Sequence, residues 1–372
     1  MSVVLKDLEL YDFRNHSYFH LKEPQQLIVI IGKNASGKTN IIEAVQLVSM
    51  LESFRNPHWS NLIKEGEDKA CVKAVFLQNE RTLEIQMDVG EGQRTYILNG
   101  KKKKKNDLLG LVPAVIFTPD DLGLIKDPSE TRRKLIDDIG QQLSSTYAQV
   151  LSEYQKTLKQ RNTILKEYYD RDNSLPLLES WNENLIILGA MLFTHRVRLF
   201  VRYIDKIASF YRRTTFQEEL MGSYIPSFQE DDERLSLDVL VDMGKDEVES
   251  RLRETLRMIQ DKEIIRGKTL VGPHRDEIIF YINGKEARKF ASQGQQRSIA
   301  LALKLGQLTL IKEISGNQPI LLLDDVMSEL DGQRKELLIK TLDGQIQTII
   351  TTTDLACFSQ DLLQHAQIID LS

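Results

Sequence analysis

The stretch from Ile28 to Thr39 constrains the fold of this chain more than any other. Ile28-Val29-Ile30-Ile31 is a run of β-formers. Gly32-Lys33-Asn34-Ala35-Ser36-Gly37-Lys38-Thr39 is a glycine-rich turn, and Asn40-Ile41-Ile42-Glu43-Ala44-Val45 continues as a helix. The turn meets every fixed position of Gly-x-x-x-x-Gly-Lys-Ser/Thr, in the strand–loop–helix setting that gives that pattern its meaning. Gly32 and Gly37 let the backbone curl until successive N–H groups converge on phosphate oxygens. The start of the following helix adds its positive end. Lys38 reaches the β- and γ-phosphates of a nucleotide, and the Thr39 hydroxyl is placed to ligate Mg²⁺. Glycine-rich turns also close ordinary βα units, but the complete motif in this context favours the phosphate site. The candidate ATP contacts are therefore Gly32, Lys33, Asn34, Ala35, Ser36, Gly37, Lys38, Thr39 and Asn40.

Far downstream, Ile320-Leu321-Leu322-Leu323 ends in Asp324-Asp325. In P-loop nucleotidases such a strand lies near the P-loop, and its first acid, here Asp324, holds Mg²⁺. Asp325 stands where a general base orients and deprotonates the attacking water. Ser292-Gln293-Gly294-Gln295-Gln296 opens an apolar helix carrying Ile299, Leu301, Leu303, Leu305 and Leu308. A serine and a glycine at a helix N-terminus make a second anion site. The P-loop already holds the phosphates within one subunit, so the economical target is a γ-phosphate on a partner subunit. Taken in isolation, the same pattern is an ordinary capped helix. Ser328-Glu329-Leu330-Asp331 follows the acid pair, and Thr348–Thr353 reads as a strand ending in Thr353-Asp354.

The remaining chain alternates between strand and helix patterns. Val3 to Tyr18 reads as an edge strand or hairpin, with Arg14 and Asn15 either in a solvated turn or facing the nucleotide. Strands are expected at Ala70–Leu77, Thr82–Asp88, Thr95–Leu98 and Leu111–Phe117, with a hairpin turn at Asn99-Gly100. Lys101, Lys102, Lys103, Lys104 and Lys105 follow that turn, as a solvated arm or as a tip that touches DNA phosphates. Arg55, just past the P-loop helix, joins them as a candidate DNA contact. From about Ser129 to Tyr169 the pattern is helical. A loop with Asp172, Asn173, Ser174 and Pro176 then breaks it, and a second helix runs from about Leu177 to Arg213. The pair reads as an antiparallel hairpin of roughly 40 Å at 1.5 Å per residue. Its second half is basic (Arg196, Arg198, Arg202, Lys206, Arg212, Arg213), as a solvated face or part of a DNA groove. An acidic, loop-rich segment spans Glu218 to Glu233, a helix covers about Lys245 to Glu263, and strand patterns return at Leu270–Ile282 before Asn283-Gly284.

Composition narrows the class. With 372 residues, 41% hydrophobic and 28% charged, the chain is globular in type, and a net charge of −5 argues against a wholly basic nucleic-acid binder. A local basic patch can still attract a polyanion. Two cysteines, Cys71 and Cys357, cannot make a disulfide framework or a zinc site on their own. The N-terminus lacks a signal-peptide h-region, and no uncharged apolar run reaches membrane-spanning length. The expected compartment is the cytoplasm, with no membrane partner.

The P-loop, the Ser-Gln-Gly-Gln-Gln stretch and Leu-Leu-Leu-Asp-Asp with Ser-Glu-Leu-Asp, in this order, resemble the ABC-type ATPases. Within them the chain most resembles the RecF family of bacterial DNA replication and repair proteins, in the SMC-like branch. The stretches that carry the likeness are Tyr11-Asp12-Phe13-Arg14-Asn15, Phe117-Thr118-Pro119-Asp120-Asp121-Leu122, Gly272-Pro273-His274-Arg275-Asp276 and Asp324-Asp325-Val326-Met327-Ser328-Glu329-Leu330-Asp331. The resemblance implies an α/β fold: an ABC-type ATPase head with a P-loop mixed sheet, built from residues 1–118 and 268–372. A helical lobe with the short hairpin is inserted over 119–267. It implies ATP and Mg²⁺ held between two heads of a homodimer, the P-loop of one facing Ser292–Gln296 of the other, with Asp331 in the D-loop. It further implies an ATP-controlled clamp on double-stranded DNA near single-stranded gaps, slow DNA-dependent ATP hydrolysis, and partners resembling RecR and RecO in loading RecA. The residue after the Mg²⁺ acid is Asp325 where ABC-type ATPases usually carry Glu, and the superfamily's switch histidine is absent, with Thr353-Asp354 near its place. Two other readings compete: the ATPase subunit of an ABC transporter, disfavoured by the Gln-Gly-Gln-Gln signature, and a structural SMC-like head, disfavoured by the short hairpin.

Overall fold

The computed structural model describes residues 3–55, 58–90, 92–167, 171–215, 218–230, 235–341 and 345–371. The chain divides into two compact units. The first comprises Met1–Gly123, Arg213–Phe216 and Arg297–Ser372; the second comprises Leu124–Arg212 and Gln217–Gln296.

The first unit is built on two sheets, so the expected mixed sheet takes the form of one antiparallel and one parallel sheet. The antiparallel sheet uses β1 (Val3–Phe13), β2 (His16–Lys22), β4 (Ala70–Gln78), β5 (Arg81–Gly90), β6 (Gln93–Leu98) and β7 (Lys101–Lys103), in the order β2-β1-β4-β5-β6-β7. The parallel sheet uses β3 (Leu27–Ile31), β8 (Ala114–Phe117), β12 (Ile320–Asp324), β13 (Thr348–Thr352) and β14 (Gln367–Asp370), in the order β14-β3-β13-β12-β8. The uninterrupted apolar runs of β3, β8 and β12 belong to strands covered on both faces. Every residue of β8, β12 and β13 is buried.

The helix Lys38–Met50 packs against strands of both sheets. Ile41, Ile42, Ala44, Val45, Leu47 and Val48 are fully buried, and each of the larger ones contributes about 1.5–3 kcal/mol. A buried glutamine joins the two sheets. Gln347 Oε1 accepts from Leu5 N at 2.6 Å, and its Nε2 donates to Leu5 O at 3.1 Å and Gln25 O at 3.0 Å. This stands where the β1–β4 register shifts between Leu5 and Asp7, so the side chain completes hydrogen bonds that the irregular ladder leaves open.

The second unit holds the helices Ser129–Leu143, Ser145–Lys166, Arg171–Thr214 (its last residues in the first unit), Leu237–Asp242 and Lys245–Arg266. It also holds a small antiparallel sheet, β11-β10-β9, from β9 (Leu220–Ile225), β10 (Glu277–Ile282) and β11 (Lys285–Glu286). The antiparallel hairpin is present. Arg161 bonds Asn182, Tyr154 lies against Gly189, and Tyr147 stacks near His195, so pairing descends one helix as it climbs the other.

Four expectations change here. The helical run from Ser129 breaks at Ser144, whose hydroxyl caps the next helix by accepting from Tyr147 N at 3.2 Å. The segment read as a loop around Pro176 is helical from Arg171, with Pro176 inside the helix, where it removes the hydrogen bond to the carbonyl four residues back. The second helix has 44 residues, about 66 Å at 1.5 Å per residue, but its partner Ser145–Lys166 has 22, so the paired hairpin is about 33 Å long rather than the roughly 40 Å expected. The acidic segment expected to be loop-rich contains β9, which pairs with β10 from Leu220↔Ile282 to Ile225↔Glu277; Asp231, Asp232 and Glu233 lie outside the described residues.

The stretch Gly272–Asp276 forms a buried polar knot inside this unit. Arg196 Nε and Nη2 donate to the two Asp137 oxygens, each at 3.0 Å, and its Nη1 donates to Pro273 O at 2.7 Å. Asp276 accepts from Tyr224 OH at 2.5 Å and Ser227 N at 2.8 Å. Burial pushes the His274 imidazole down to about 3, and Tyr154 OH meets its Nδ1 at 2.7 Å. Arg196 is therefore a core residue, while Arg198, Arg202, Arg212 and Arg213 of the same basic helix remain exposed. That helix contains a window apolar enough to cross a membrane by length and composition, but 56% of the window is buried inside the protein.

Candidate nucleotide site

The parallel sheet assembles the site. β13 pairs with β3 (Ile31↔Thr352) on one side and with β12 (Asp324↔Thr351) on the other. The loop after β3 and the acid at the end of β12 therefore open at the same carboxyl edge, where open α/β sheets hold ligands.

Within the loop, Gly37 is left-handed at φ 99°, and a Cβ there would lie 2.5 Å from His16 Nε2 and 2.8 Å from Asn15 Oδ1. Ala35 is also left-handed, at φ 68°, a conformation that costs a non-glycine residue about 1–3 kcal/mol. No side chain caps the helix at Gly37, so its first N–H groups are available to an anion. Lys38 Nζ donates to Gly32 O at 2.7 Å and Lys33 O at 2.8 Å, which places the ammonium inside the curl of the loop. Ser36 Oγ is buried without a hydrogen-bond partner. An open amide cradle, a cation within it and an orphaned hydroxyl fit a polyphosphate.

Thr39 Oγ1 donates to Asp324 Oδ1 at 2.9 Å, so the two expected Mg²⁺ ligands meet although they are far apart in the chain. Thr351 Oγ1 donates to the same oxygen at 2.8 Å, as the hydrogen-bonded ligands of metal sites commonly do. Asp325 is left-handed at φ 50°, and its N–H donates to Thr351 Oγ1 at 3.0 Å. Its Oδ1 is buried and unpartnered. Burial raises the Asp325 carboxyl above the usual range, against the pull of Lys38, and Asp324 and Glu329 push it the same way. A carboxylate of raised basicity beside a phosphate cradle suits a proton acceptor.

The turn of the β1–β2 hairpin lies against the P-loop helix. Asn40 Nδ2 donates to Asn15 Oδ1 at 2.6 Å, and His16 Nε2 lies 3.2 Å from Gly37 O. Arg14 is turned to Glu43, with Nε to Oε2 at 2.9 Å and Nη2 to Oε1 at 2.7 Å. Arg55 donates to Asn40 Oδ1 at 2.8 Å, 3.5 Å from the same buried Glu43. Arg14, Asn15, Asn40 and Arg55 line one open cleft. Sequence reasoning passed over His16, Glu43 and Thr351. A buried acid within an amphipathic helix was the available signal for Glu43; nothing local marked the other two.

The signature stretch lies in the second unit up to Gln296. Ser292 Oγ accepts from Gln295 N at 3.2 Å, while Ser292 N donates to Gln295 Oε1 at 2.8 Å, a reciprocal cap. Gln295 Nε2 donates to Glu218 Oε1 and Gln296 Nε2 to Ala291 O, each at 2.7 Å. Ser292 and Gln293 are exposed, and Gly294 is partly so. In the first unit, Asp331 caps the helix Gly332–Thr341 through Arg334 N at 3.0 Å and pairs with the Arg334 guanidinium. Asp354 Oδ1 accepts from Ala356 N at 2.8 Å, which gives that residue a local capping role.

The lysine run divides. Lys101–Lys103 form the exposed edge strand β7 after the left-handed Asn99-Gly100 turn, and Lys104 is exposed. Lys105 pairs with Glu52 at 2.7 Å. Were this edge to contact a DNA duplex, replacing Lys101–Lys104 by Ser would weaken the binding and lower the salt slope by about 0.9 for each phosphate no longer neutralised. Titrations at several salt concentrations check this, and an unchanged slope assigns the run to solvation.

Residues 4–367 match the family model described as RecF/RecN/SMC N terminal domain. The chain is similar to the DNA replication and repair protein RecF of Oceanobacillus iheyensis, 34% identical over 98% of this chain and 97% of that one. It is likewise similar to RecF of Bacillus subtilis, 34% identical over 97% and 96%. Among solved structures, the recombination mediator protein RecF-ATP in the RecFOR pathway matches with TM-score 0.85 and 32% identity, covering 96% of this chain and 94% of that one. An Smc head domain from Pyrococcus furiosus shares the fold at TM-score 0.53 and 18% identity, over 99% and 93%.

Proposed function

We propose that this chain, which belongs to the RecF family of DNA replication and repair proteins, is an ATP-gated clamp on double-stranded DNA beside single-stranded gaps. The observation that carries the reading is the meeting of Thr39 with Asp324 beneath an open P-loop, with the unpartnered Asp325 next to them. The functional division follows: residues 1–118 and 268–372 make the ATPase, and 119–267 are the lobe between them. Gly32–Asn40 bind ATP, with Arg14 and Asn15 beside it, and Lys38 neutralises the β- and γ-phosphates. Thr39 and Asp324 are the residues that would hold Mg²⁺, which supplies charge neutralisation across the β- and γ-oxygens. Asp325 accepts the proton of the attacking water.

In this reading two copies close on ATP. Ser292, Gln293, Gly294, Gln295 and Gln296 of one copy meet the γ-phosphate bound by the other, with Asp331 at the interface. The Ser292 hydroxyl uses a lone pair in its own cap and keeps its proton for a partner's phosphate. The dimer encloses DNA, with Lys101–Lys105 and Arg55 as candidate contacts. Hydrolysis is slow because the aspartate is about one methylene shorter than the usual glutamate. The clamp acts in the cytoplasm with RecR- and RecO-like mediators to load RecA.

Asp325→Asn is the test. It keeps the shape of the side chain and removes its basicity, so ATP hydrolysis is expected to fall by roughly 10²–10⁴-fold while the ATP-bound dimer persists. Light scattering with ATP, ADP and no nucleotide checks the second point. A mass indifferent to nucleotide, or a variant dimer that dissociates at the wild-type rate, overturns the reading.

A further inference from the structure

The outer face of the antiparallel sheet holds a cluster that the nucleotide chemistry does not use. On β1, Asp7 and Glu9 alternate with the fully buried Leu8 and Leu10 and so share the partly exposed face. The β1–β2 register sets His20 opposite Glu9 and Lys22 opposite Asp7. The His20 ring thereby stands between two carboxylates, with Nε2 2.9 Å from Asp7 Oδ2 and 3.9 Å from Glu9 Oε1. One ligand atom from each residue lies within 4.8 Å of the others, the one such His, Cys or carboxylate group among the described residues. The three side chains are 23–31% exposed, which leaves an entry path.

The surroundings leave this set available. Tyr11 OH donates to Glu9 Oε2 at 3.1 Å, which leaves Oε1 toward His20. Lys73, across from Glu9 on β4, is turned to Glu84 at 3.4 Å. Lys22 is exposed. Two carboxylates thus face one imidazole, with no lysine or arginine ion-paired to either among the described residues.

We propose that Asp7, Glu9 and His20 form a binding site for a divalent transition metal of the zinc class, with water in the remaining positions. Metal–ligand bonds of about 2.0–2.2 Å place ligand atoms about 3 to 3.5 Å apart. The His20–Asp7 pair, at 2.9 Å, is already near that spacing, and Glu9 Oε1, 3.9 Å from His20 Nε2, approaches it by a side-chain adjustment. An imidazole in the set selects zinc-like metals over Mg²⁺ and Ca²⁺, which take oxygen ligands. The hydrogen-bonded Glu9 supplies the supporting contact such sites use. The metal would join β1 to β2 in the stem of the hairpin whose turn, Arg14-Asn15, touches the P-loop helix.

Zn²⁺ titrated calorimetrically into the full-length, nucleotide-free protein tests this, with Co²⁺ absorption reporting coordination. One equivalent is expected for the wild type, with a raised Tm. Loss of that equivalent is expected in both Asp7→Asn and His20→Gln, each with an unchanged circular dichroism spectrum. Absence of saturable Zn²⁺ binding to the wild type, or equal binding in both variants, overturns the proposal. Should either variant fail to fold, the His20 ring nitrogen resonances of the wild type decide: a shift with Zn²⁺ supports the site, and unmoved resonances overturn it.

Discussion

Lys38→Met is expected to abolish ATP-dependent dimerisation while leaving the nucleotide-free protein about as stable as the wild type. The ammonium is buried and donates hydrogen bonds to two loop carbonyls, Gly32 O and Lys33 O. No carboxylate lies within ion-pair distance of it among the described residues, although its charge reaches Asp325 from farther off. Removing a buried cation with no carboxylate in direct contact relieves desolvation, and this offsets the absence of the two hydrogen bonds and of the attraction to Asp325. Once phosphates enter the cradle, the balance reverses. Each charge-assisted bond that Lys38 would give to phosphate contributes about 1.5–3 kcal/mol. Without two such bonds, ATP affinity falls by roughly a hundredfold or more. Thermal melts with and without ATP separate the two effects: the ATP-induced rise in Tm disappears, and the melt without nucleotide stays in place. A variant that still dimerises on ATP like the wild type removes Lys38 from the site.

The second large effect is expected far from the nucleotide, at Arg161→Ala. Arg161 is fully buried between the helical hairpin and the helix Lys245–Arg266. Its Nη2 donates to Glu263 at 2.5 Å, its Nη1 to Thr269 Oγ1 at 2.7 Å and its Nε to Asn182 Oδ1 at 2.7 Å. Glu263 is also fully buried, and its other oxygen accepts from Leu270 N at 2.6 Å. Truncating the arginine leaves a buried carboxylate without its cation, which destabilises by about 3–5 kcal/mol. Urea unfolding of this unit should show a midpoint lowered accordingly. The double variant Arg161→Met with Glu263→Leu is expected to recover much of that stability, because an apolar pair of similar volume avoids the desolvation. A single variant within about 1 kcal/mol of the wild type would show that water reaches Glu263.

Local sequence specifies the phosphate loop, the strand leading into Asp324-Asp325, the capped signature helix and the hairpin turns at Asn99-Gly100 and Asn283-Gly284. Each depends on residues close together in the chain: glycines where φ is positive, an amide cradle before a helix, an apolar run too continuous for a one-sided strand. Tertiary structure alone decided what those parts touch. Strand order set Thr351 beside Asp324, and the hairpin turn brought His16 and Asn15 against Gly37. Glu43 gathered Arg14 and Arg55, Glu52 paired Lys105 out of its basic run, and Asp137 drew Arg196 into the core from a helix that reads as a charged face. A single sequence carries local conformational preference directly, but a charge or hydroxyl acquires its role from its partner. Those partners lie tens to hundreds of residues away, set by strand pairing and packing that local spacing does not encode.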